Sequence, residues 1–325
     1  MKAVLCKEYG PPERLVVEEL PSLEAGPGQV VVSVRACGVN FPDTLIIEGK
    51  YQFKPPPPFS PGGEIAGTVK AVGPGVTTVK PGDRVVALTM FGGYAEEVVV
   101  GEANLVPMPE GLDFVAAASA LTAYGTTFYA LEERAQLKAG ETLLVLGAAG
   151  GVGLAAIELG KLLGARVIAA ASTPDKLQAC RQQGADLTID YGREELKQRV
   201  KDLTNGIGVD VVYDPVGGAL SEAALRATAW NGRLLVIGFA SGEIPRLPLN
   251  LTLLKSASIV GVFWGAFLMR EPERARAMHV QLLTWVRDGR LRPHIHARYP
   301  LAEAAKALRE VLERRVQGKV ALTVE

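Results

Sequence analysis

One stretch constrains this chain more than any other: an apolar strand that runs straight into a glycine loop and then a helix. Residues 142–147 are apolar and close on Gly147; Ala148-Ala149-Gly150-Gly151-Val152-Gly153 follows, and residues 151–163 read as a helix. Parallel strands need crossover connections, so a recurring strand–helix unit means an open parallel sheet with helices on its faces. The unit does recur. Strands are expected at 142–147, 166–171, 187–190, 210–214, 233–238 and 258–263, with helices at 151–163, 175–183, 194–203 and 218–229 between the first five. Six such strands make the full complement of a doubly wound, Rossmann-type α/β fold.

The first third has another pattern. Short β-branched runs at 29–35, 64–72, 84–88 and 94–100 are separated by Gly26-Pro27-Gly28, Gly73-Pro74-Gly75 and Pro81-Gly82-Asp83. That spacing predicts a small β-barrel or sandwich. Pro55 to Pro58 form a loop, because successive prolines lack amide donors. Beyond residue 266 come two helices (273–287 and 302–314) and a closing strand (320–324). The expected organisation is a β-rich first part at 1–115, an α/β insertion at 116–266 and a return to the β-rich domain at 267–325.

Composition narrows the partners. The chain has 35 basic and 35 acidic residues, which argues against an extended nucleic-acid footprint. Lys2, Lys7 and Glu8 interrupt any signal-peptide apolar region. No uncharged run of the roughly 18 residues needed to span a membrane is expected. Cys6, Cys37 and Cys180 are too scattered for a disulfide framework, and Cys37 and Cys180 read as small buried hydrophobes. A reducing, cytoplasmic setting is the expectation.

The glycine loop sits where a dinucleotide fingerprint belongs, at the first strand-to-helix junction. Gly150 lets a pyrophosphate approach the backbone, and Gly153 lets the helix pack closely. Around Gly151 and Val152 the helix N-terminus offers amides and a positive dipole. NAD-preferring folds carry an acid about 20 residues further on. Here the second strand ends Ala171-Ser172-Thr173-Pro174-Asp175-Lys176, with no carboxylate at the strand end itself. A 2′-phosphate is attracted by Lys176 and repelled by a strand-end acid, so NADPH is the expected cofactor. Thr173-Pro174 is equally a good helix start. Capping accounts for those two residues but not for the missing acid.

With these motifs in view, the chain resembles the medium-chain dehydrogenase/reductase superfamily from end to end. The resemblance lies in Gly38-Val39-Asn40-Phe41-Pro42-Asp43, Pro61-Gly62-Gly63-Glu64-Ile65-Ala66-Gly67, Leu121-Thr122-Ala123-Tyr124 and the glycine loop. It continues through Tyr213-Asp214-Pro215-Val216-Gly217-Gly218, Gly238-Phe239-Ala240-Ser241-Gly242 and Gly318-Lys319. It implies a Rossmann domain inserted into a GroES-like catalytic domain. Zinc-dependent alcohol dehydrogenases place a cysteine where Asn40 stands and a histidine where Gly63 stands, and carry a four-cysteine lobe. This chain has none of these. A catalytic zinc needs three protein ligands, and Glu64 alone cannot supply them. His294 and His296 alternate on an extended stretch with no further ligand. The similarity is therefore to the zinc-free quinone oxidoreductase, or zeta-crystallin-like, branch.

That resemblance implies roles residue by residue. Ser172, Thr173, Lys176 and Tyr191 match phosphate contacts. Gly238, Phe239, Ala240 and Ser241, with Phe263, Trp264 and Gly265, match segments bordering the cofactor. Asn40 and Thr122 match positions beside the nicotinamide, and Lys319 reaches the cofactor from the tail. Gly125, where many relatives have tyrosine, is expected to enlarge the pocket. Without a metal, hydride transfer suits an acceptor whose charge spreads by conjugation, with Asn40, Tyr51 and Thr122 as its orienting donors. Quinone reduction is the expectation; an enone or enoyl-thioester reductase, or an NADPH-binding protein without turnover, are the alternatives. The apolar strand 258–263 at a sheet edge suggests a homodimer.

Overall fold

The computed structural model describes residues 1–324, and Glu325 lies outside them. The chain divides into two units: Met1–Thr122 with Glu273–Glu325, and Ala123–Pro272. The divisions fall a few residues later than 115 and 266, for packing reasons. The Ala118 carbonyl lies 2.0 Å from where a Cβ on Gly38 would stand, and the Thr122 amide donates to Glu64. Residues 116–122 therefore belong with the β-rich unit. At the other end, helix Trp264–Arg270 stacks Phe267 on Tyr129 of the second unit and sets Trp264 against the same ring at a tilt.

Among the described residues, the second unit holds a six-stranded parallel sheet. Across the sheet the order is Leu187–Asp190, Arg166–Ala171, Thr142–Val145, Val209–Asp214, Thr228–Val236 and Ser258–Gly261. In chain order this is 3-2-1-4-5-6, the doubly wound arrangement. Leu143, Leu144, Val145, Val167, Ile168, Val211 and Val212 are fully buried. That is why these strands read as continuous apolar runs: helices cover both faces. Helices Gly151–Leu162, Pro174–Gln182, Leu196–Leu203 and Ala219–Arg226 supply the crossovers. Short helices Asn250–Lys255 and Trp264–Arg270 were not expected, since six or seven residues carry too little periodicity to declare a helix.

In the first unit, the long strand Gln29–Val39 organises the sheet. Glu64–Val72 pairs with it antiparallel on one side, followed by Arg84–Leu88 and Leu105–Pro107. On the other side lies the tail strand Lys319–Thr323, then the edge strand Ile295–Pro300. Glu97–Gly101 pairs with the first half of Gln29–Val39. The register matters for function. Val320 faces Val39 and Gly38 faces Glu64, so Lys319, Asn40 and Glu64 meet at one end of three adjacent strands.

One expectation about apolar runs needs correcting. Phe114–Arg134 is long and apolar enough by composition to cross a membrane, although 72% of its apolar 18-residue stretch is buried in the fold. Cys6, Cys37 and Cys180 are free thiols, all buried.

Candidate active site

Two groups of residues carry chemistry, one in each unit. In the first unit, the Glu64 carboxylate is fully buried, and a lone buried charge is costly. The fold satisfies it from separate parts of the chain. Its Oε1 accepts the Thr122 amide at 2.8 Å; its Oε2 accepts Asn40 Nδ2 at 3.0 Å and Lys319 Nζ at 3.2 Å. Lys319, 4% exposed, also donates to Asn40 Oδ1 and, at 3.4 Å, to the Val39 carbonyl. Gly38 is required beside this group, because a Cβ there would stand 2.8 Å from Glu64 Oε2.

A second buried carboxylate adjoins it. Asp43, on helix Phe41–Ile47, accepts the Asn40 amide at 2.8 Å and the Tyr94 hydroxyl at 3.1 Å. Burial pushes its carboxyl up to about 6, against the pull of those two hydrogen bonds and of Lys319. Burial also raises the Tyr94 hydroxyl and, with the Asp43 charge, that of Tyr51. Tyr51 lies half-buried against the core of this unit.

The expected donors are thus only partly what the sequence suggested. Asn40, Thr122 and Lys319 do come together, but around Glu64. Both polar ends of the Asn40 carboxamide are engaged, one by Lys319 and the other by Glu64. Lys319 turns its ammonium inward. Sequence reasoning missed Glu64 and Asp43 as members of this group. Their signals were the acids closing the Gly38–Asp43 motif and following Gly62-Gly63, but their partners lie far along the chain.

In the second unit, the expected cofactor residues cluster at the carboxyl ends of the parallel strands, where open α/β sheets bind ligands. The first strand leads through Gly147 to Gly150, which caps helix Gly151–Leu162. A Cβ on Gly153 would sit 2.6 Å from the carbonyl oxygens of Gly147 and Ala148, so only glycine lets the helix begin so close to the strand. The amides of Gly151, Val152 and Gly153 form its first turn, which suits a phosphate.

Next to this loop, Ser172 and Thr173 follow the second strand. Thr173 accepts the Lys176 amide at 3.4 Å, so it does cap helix Pro174–Gln182. Tyr191 follows the third strand, and its amide donates to the Ala171 carbonyl at 3.1 Å. Asp190 is the nearby acid of the third strand. It is taken up by its own turn, accepting the Gly192 amide at 3.0 Å with Arg193 3.9 Å away. The strand-end geometry therefore fits a 2′-phosphate.

The fourth strand ends in buried Asp214, which accepts the amides of Val216 and Gly217 at 2.9 Å and the Ser221 hydroxyl. That turn knits to residues 238–241: the Ala240 amide donates to Pro215 at 3.0 Å and the Ser241 amide to Val216 at 2.8 Å. Val216 in turn packs against Gly147. Gly238, Phe239, Ala240 and Ser241 are thereby held close to the glycine loop.

Trp264 departs from expectation. It is 7% exposed, stacks on Phe267 and meets the Tyr129 ring at a tilt. A Cβ on Gly125 would lie 2.5 Å from its Cζ2. The space that Gly125 leaves is filled by the indole and does not enlarge a pocket. Within 263–265, it is Phe263 and Gly265 that keep surface.

The zinc positions of related dehydrogenases do not fit a metal here. A Cβ on Gly63 would meet the Thr89 carbonyl at 2.7 Å, leaving no room for a ligating side chain. Among the described residues, no group of three or more His, Cys, Asp or Glu side chains is placed to hold a metal ion.

Comparison with known proteins identifies the family. The Alcohol dehydrogenase GroES-like domain family matches residues 26–110, and the Zinc-binding dehydrogenase family matches 151–283. A quinone oxidoreductase-like protein 2 homolog of Nematostella vectensis is 42% identical over 100% of this chain and 89% of its own length. A quinone oxidoreductase of Pseudomonas aeruginosa is 39% identical, with 99% of each chain covered. The Escherichia coli quinone oxidoreductase, solved in complex with NADPH, is 31% identical and superposes with a TM-score of 0.91 over the whole of both chains. The buried Asn40–Glu64–Lys319 group, the glycine cradle and these relatives lead to one conclusion: the chain belongs to the medium-chain dehydrogenase/reductase superfamily, in its zinc-free quinone oxidoreductase branch.

Proposed function

We propose that this protein reduces quinones and related conjugated carbonyls by hydride transfer from NADPH, without a metal. The observation that carries this reading is the second-strand end, where Ser172, Thr173 and Lys176 stand beside Tyr191, the strand itself ends without an acid, and Asp190 of the neighbouring strand is held by its own turn. Bound NADPH supplies the hydride. Gly150, Gly151, Val152 and Gly153 hold its pyrophosphate by backbone amides. Gly238, Phe239, Ala240, Ser241, Phe263 and Gly265 border it, and Asn40, Thr122 and Lys319 serve its nicotinamide end. Because the Asn40 carboxamide is committed to Lys319 and Glu64, orientation of the acceptor carbonyl falls to Tyr51 and Thr122. The balancing proton comes from water.

An acceptor screen following NADPH absorbance tests the reaction. Turnover with simple quinones supports it; turnover confined to enones or enoyl thioesters replaces quinone as the substrate, and tight binding with no oxidation by any acceptor refutes catalysis. Lys176→Ala tests the cofactor and should weaken NADPH binding far more than NADH binding. Equal loss for both refutes the phosphate role.

The sheet edge supports an assembly. Ser258–Gly261 pairs only with Thr228–Val236 among the described residues, and Leu253, Phe263 and Met269 nearby in the chain are exposed. A second copy pairing along this edge covers it. Light scattering at micromolar concentration should give a dimer mass; a monomer mass overturns the inference.

A further inference from the structure

The buried carboxylate of Glu64 has no part in the reaction as proposed, yet it touches three residues that do. Its Oε1 takes the Thr122 amide; its Oε2 takes the Asn40 carboxamide and the Lys319 ammonium. The residue is 0% exposed, and the Lys319 side chain is 5% exposed. A buried ion pair of this kind is weak evidence for stability, since desolvation offsets most of its attraction. What it does provide is direction. A carboxylate oxygen only accepts, so each donor aimed at it has one satisfied arrangement. Lys319 then spends its remaining protons on Asn40 Oδ1 and the Val39 carbonyl, which fixes which way round the Asn40 amide sits.

We propose that Glu64 is a positioning residue. Its one carboxylate sets the Thr122 backbone, the Asn40 carboxamide and the Lys319 ammonium as a unit, and the nicotinamide end of the cofactor binds that unit. The cofactor's identity rests on the function proposed above; the arrangement of the three partners does not.

Two substitutions separate the halves of this network. Glu64→Gln keeps an oxygen for the Thr122 amide but turns an NH2 group toward the donors of Asn40 and Lys319. Glu64→Ala removes both halves. Amide hydrogen exchange at Thr122, measured without cofactor, should stay near wild type in Glu64→Gln and quicken about tenfold or more in Glu64→Ala, as a lost hydrogen bond of 1–2 kcal/mol implies. NADPH affinity, followed by fluorescence, should fall about tenfold to a hundredfold in Glu64→Gln, the range seen when outer partners that orient ligands at metal sites are removed.

Asn40→Ala placed on top of Glu64→Gln should then add less than about twofold, because both changes break one arrangement. Losses that multiply mean that Glu64 and Asn40 act independently, and the proposal fails. It fails too if folded Glu64→Gln binds NADPH as wild type does, or if Thr122 exchange is unchanged in Glu64→Ala. Should Glu64→Gln or Glu64→Ala not fold, the doubly neutral Glu64→Gln/Lys319→Gln protein replaces it in the binding measurement, with wild-type affinity again the refuting result. If the wild type itself does not bind NADPH, the functional reading falls, and Thr122 exchange in the free protein still decides whether Glu64 holds its partners.

Discussion

Asp43→Asn tests how the buried site handles its second negative charge. Asp43 is 3% exposed and accepts hydrogen bonds from the Asn40 amide and the Tyr94 hydroxyl. Burial outweighs those bonds and the Lys319 charge, so its carboxyl moves from 3.8 to about 6 in the folded protein. The folded state therefore binds this proton more tightly than the unfolded chain does. The resulting stabilisation is complete below 3.8 and disappears as pH rises through about 6. At about 1.4 kcal/mol per tenfold change in proton affinity, the ionised form costs on the order of 3 kcal/mol. Asparagine with its carbonyl at the Oδ2 position keeps an acceptor for both the Asn40 amide and the Tyr94 hydroxyl, and it cannot ionise. Relative to wild type, Asp43→Asn should gain stability between about pH 4 and about pH 6, by up to about 3 kcal/mol, with half of the change near about pH 5. Denaturant unfolding of both proteins at a series of pH values measures the difference, in which other titrating groups such as buried His279 cancel. A difference that is flat with pH, or that grows as pH falls, refutes the argument.

The network and the aromatic packing yield further expectations. Lys319→Ala leaves the Glu64 carboxylate buried without its counter-ion and should cost about 3–5 kcal/mol in denaturant unfolding at neutral pH; a loss below 1 kcal/mol would mean that water or a neighbour replaces the ammonium. Gly125→Ala drives a Cβ to 2.5 Å from the Trp264 indole and should destabilise the protein by about 1–3 kcal/mol with a change in tryptophan emission, whereas unaltered emission and stability would show that the indole moves aside freely. Chelators should leave turnover intact and elemental analysis should find no stoichiometric zinc, given Asn40 and Gly63 at the ligand positions; a tightly held metal needed for turnover contradicts the site as described.

Much of this protein was legible in the chain because it rests on short-range rules. The alternation of apolar strands with helices, the loop from Gly147 to Gly153 and the acid-free end of the second strand from Ala171 to Thr173 each depend on neighbours within a few residues. Even the need for glycine at 153 is local, since the obstructing carbonyls belong to Gly147 and Ala148. The tail strand could be placed in the β-rich unit by resemblance, but its consequence could not. Glu64 finds Asn40, Thr122 and Lys319 at sequence separations of 24, 58 and 255, the first and last set by the register of three strands and Thr122 by the start of helix Leu121–Phe128. Likewise, nothing beside Gly125 announces that Trp264 will occupy its missing side chain. Only tertiary structure decided those matters, because the cost of a charge and the room for a ring depend on what the folded chain brings near and on how much water it removes.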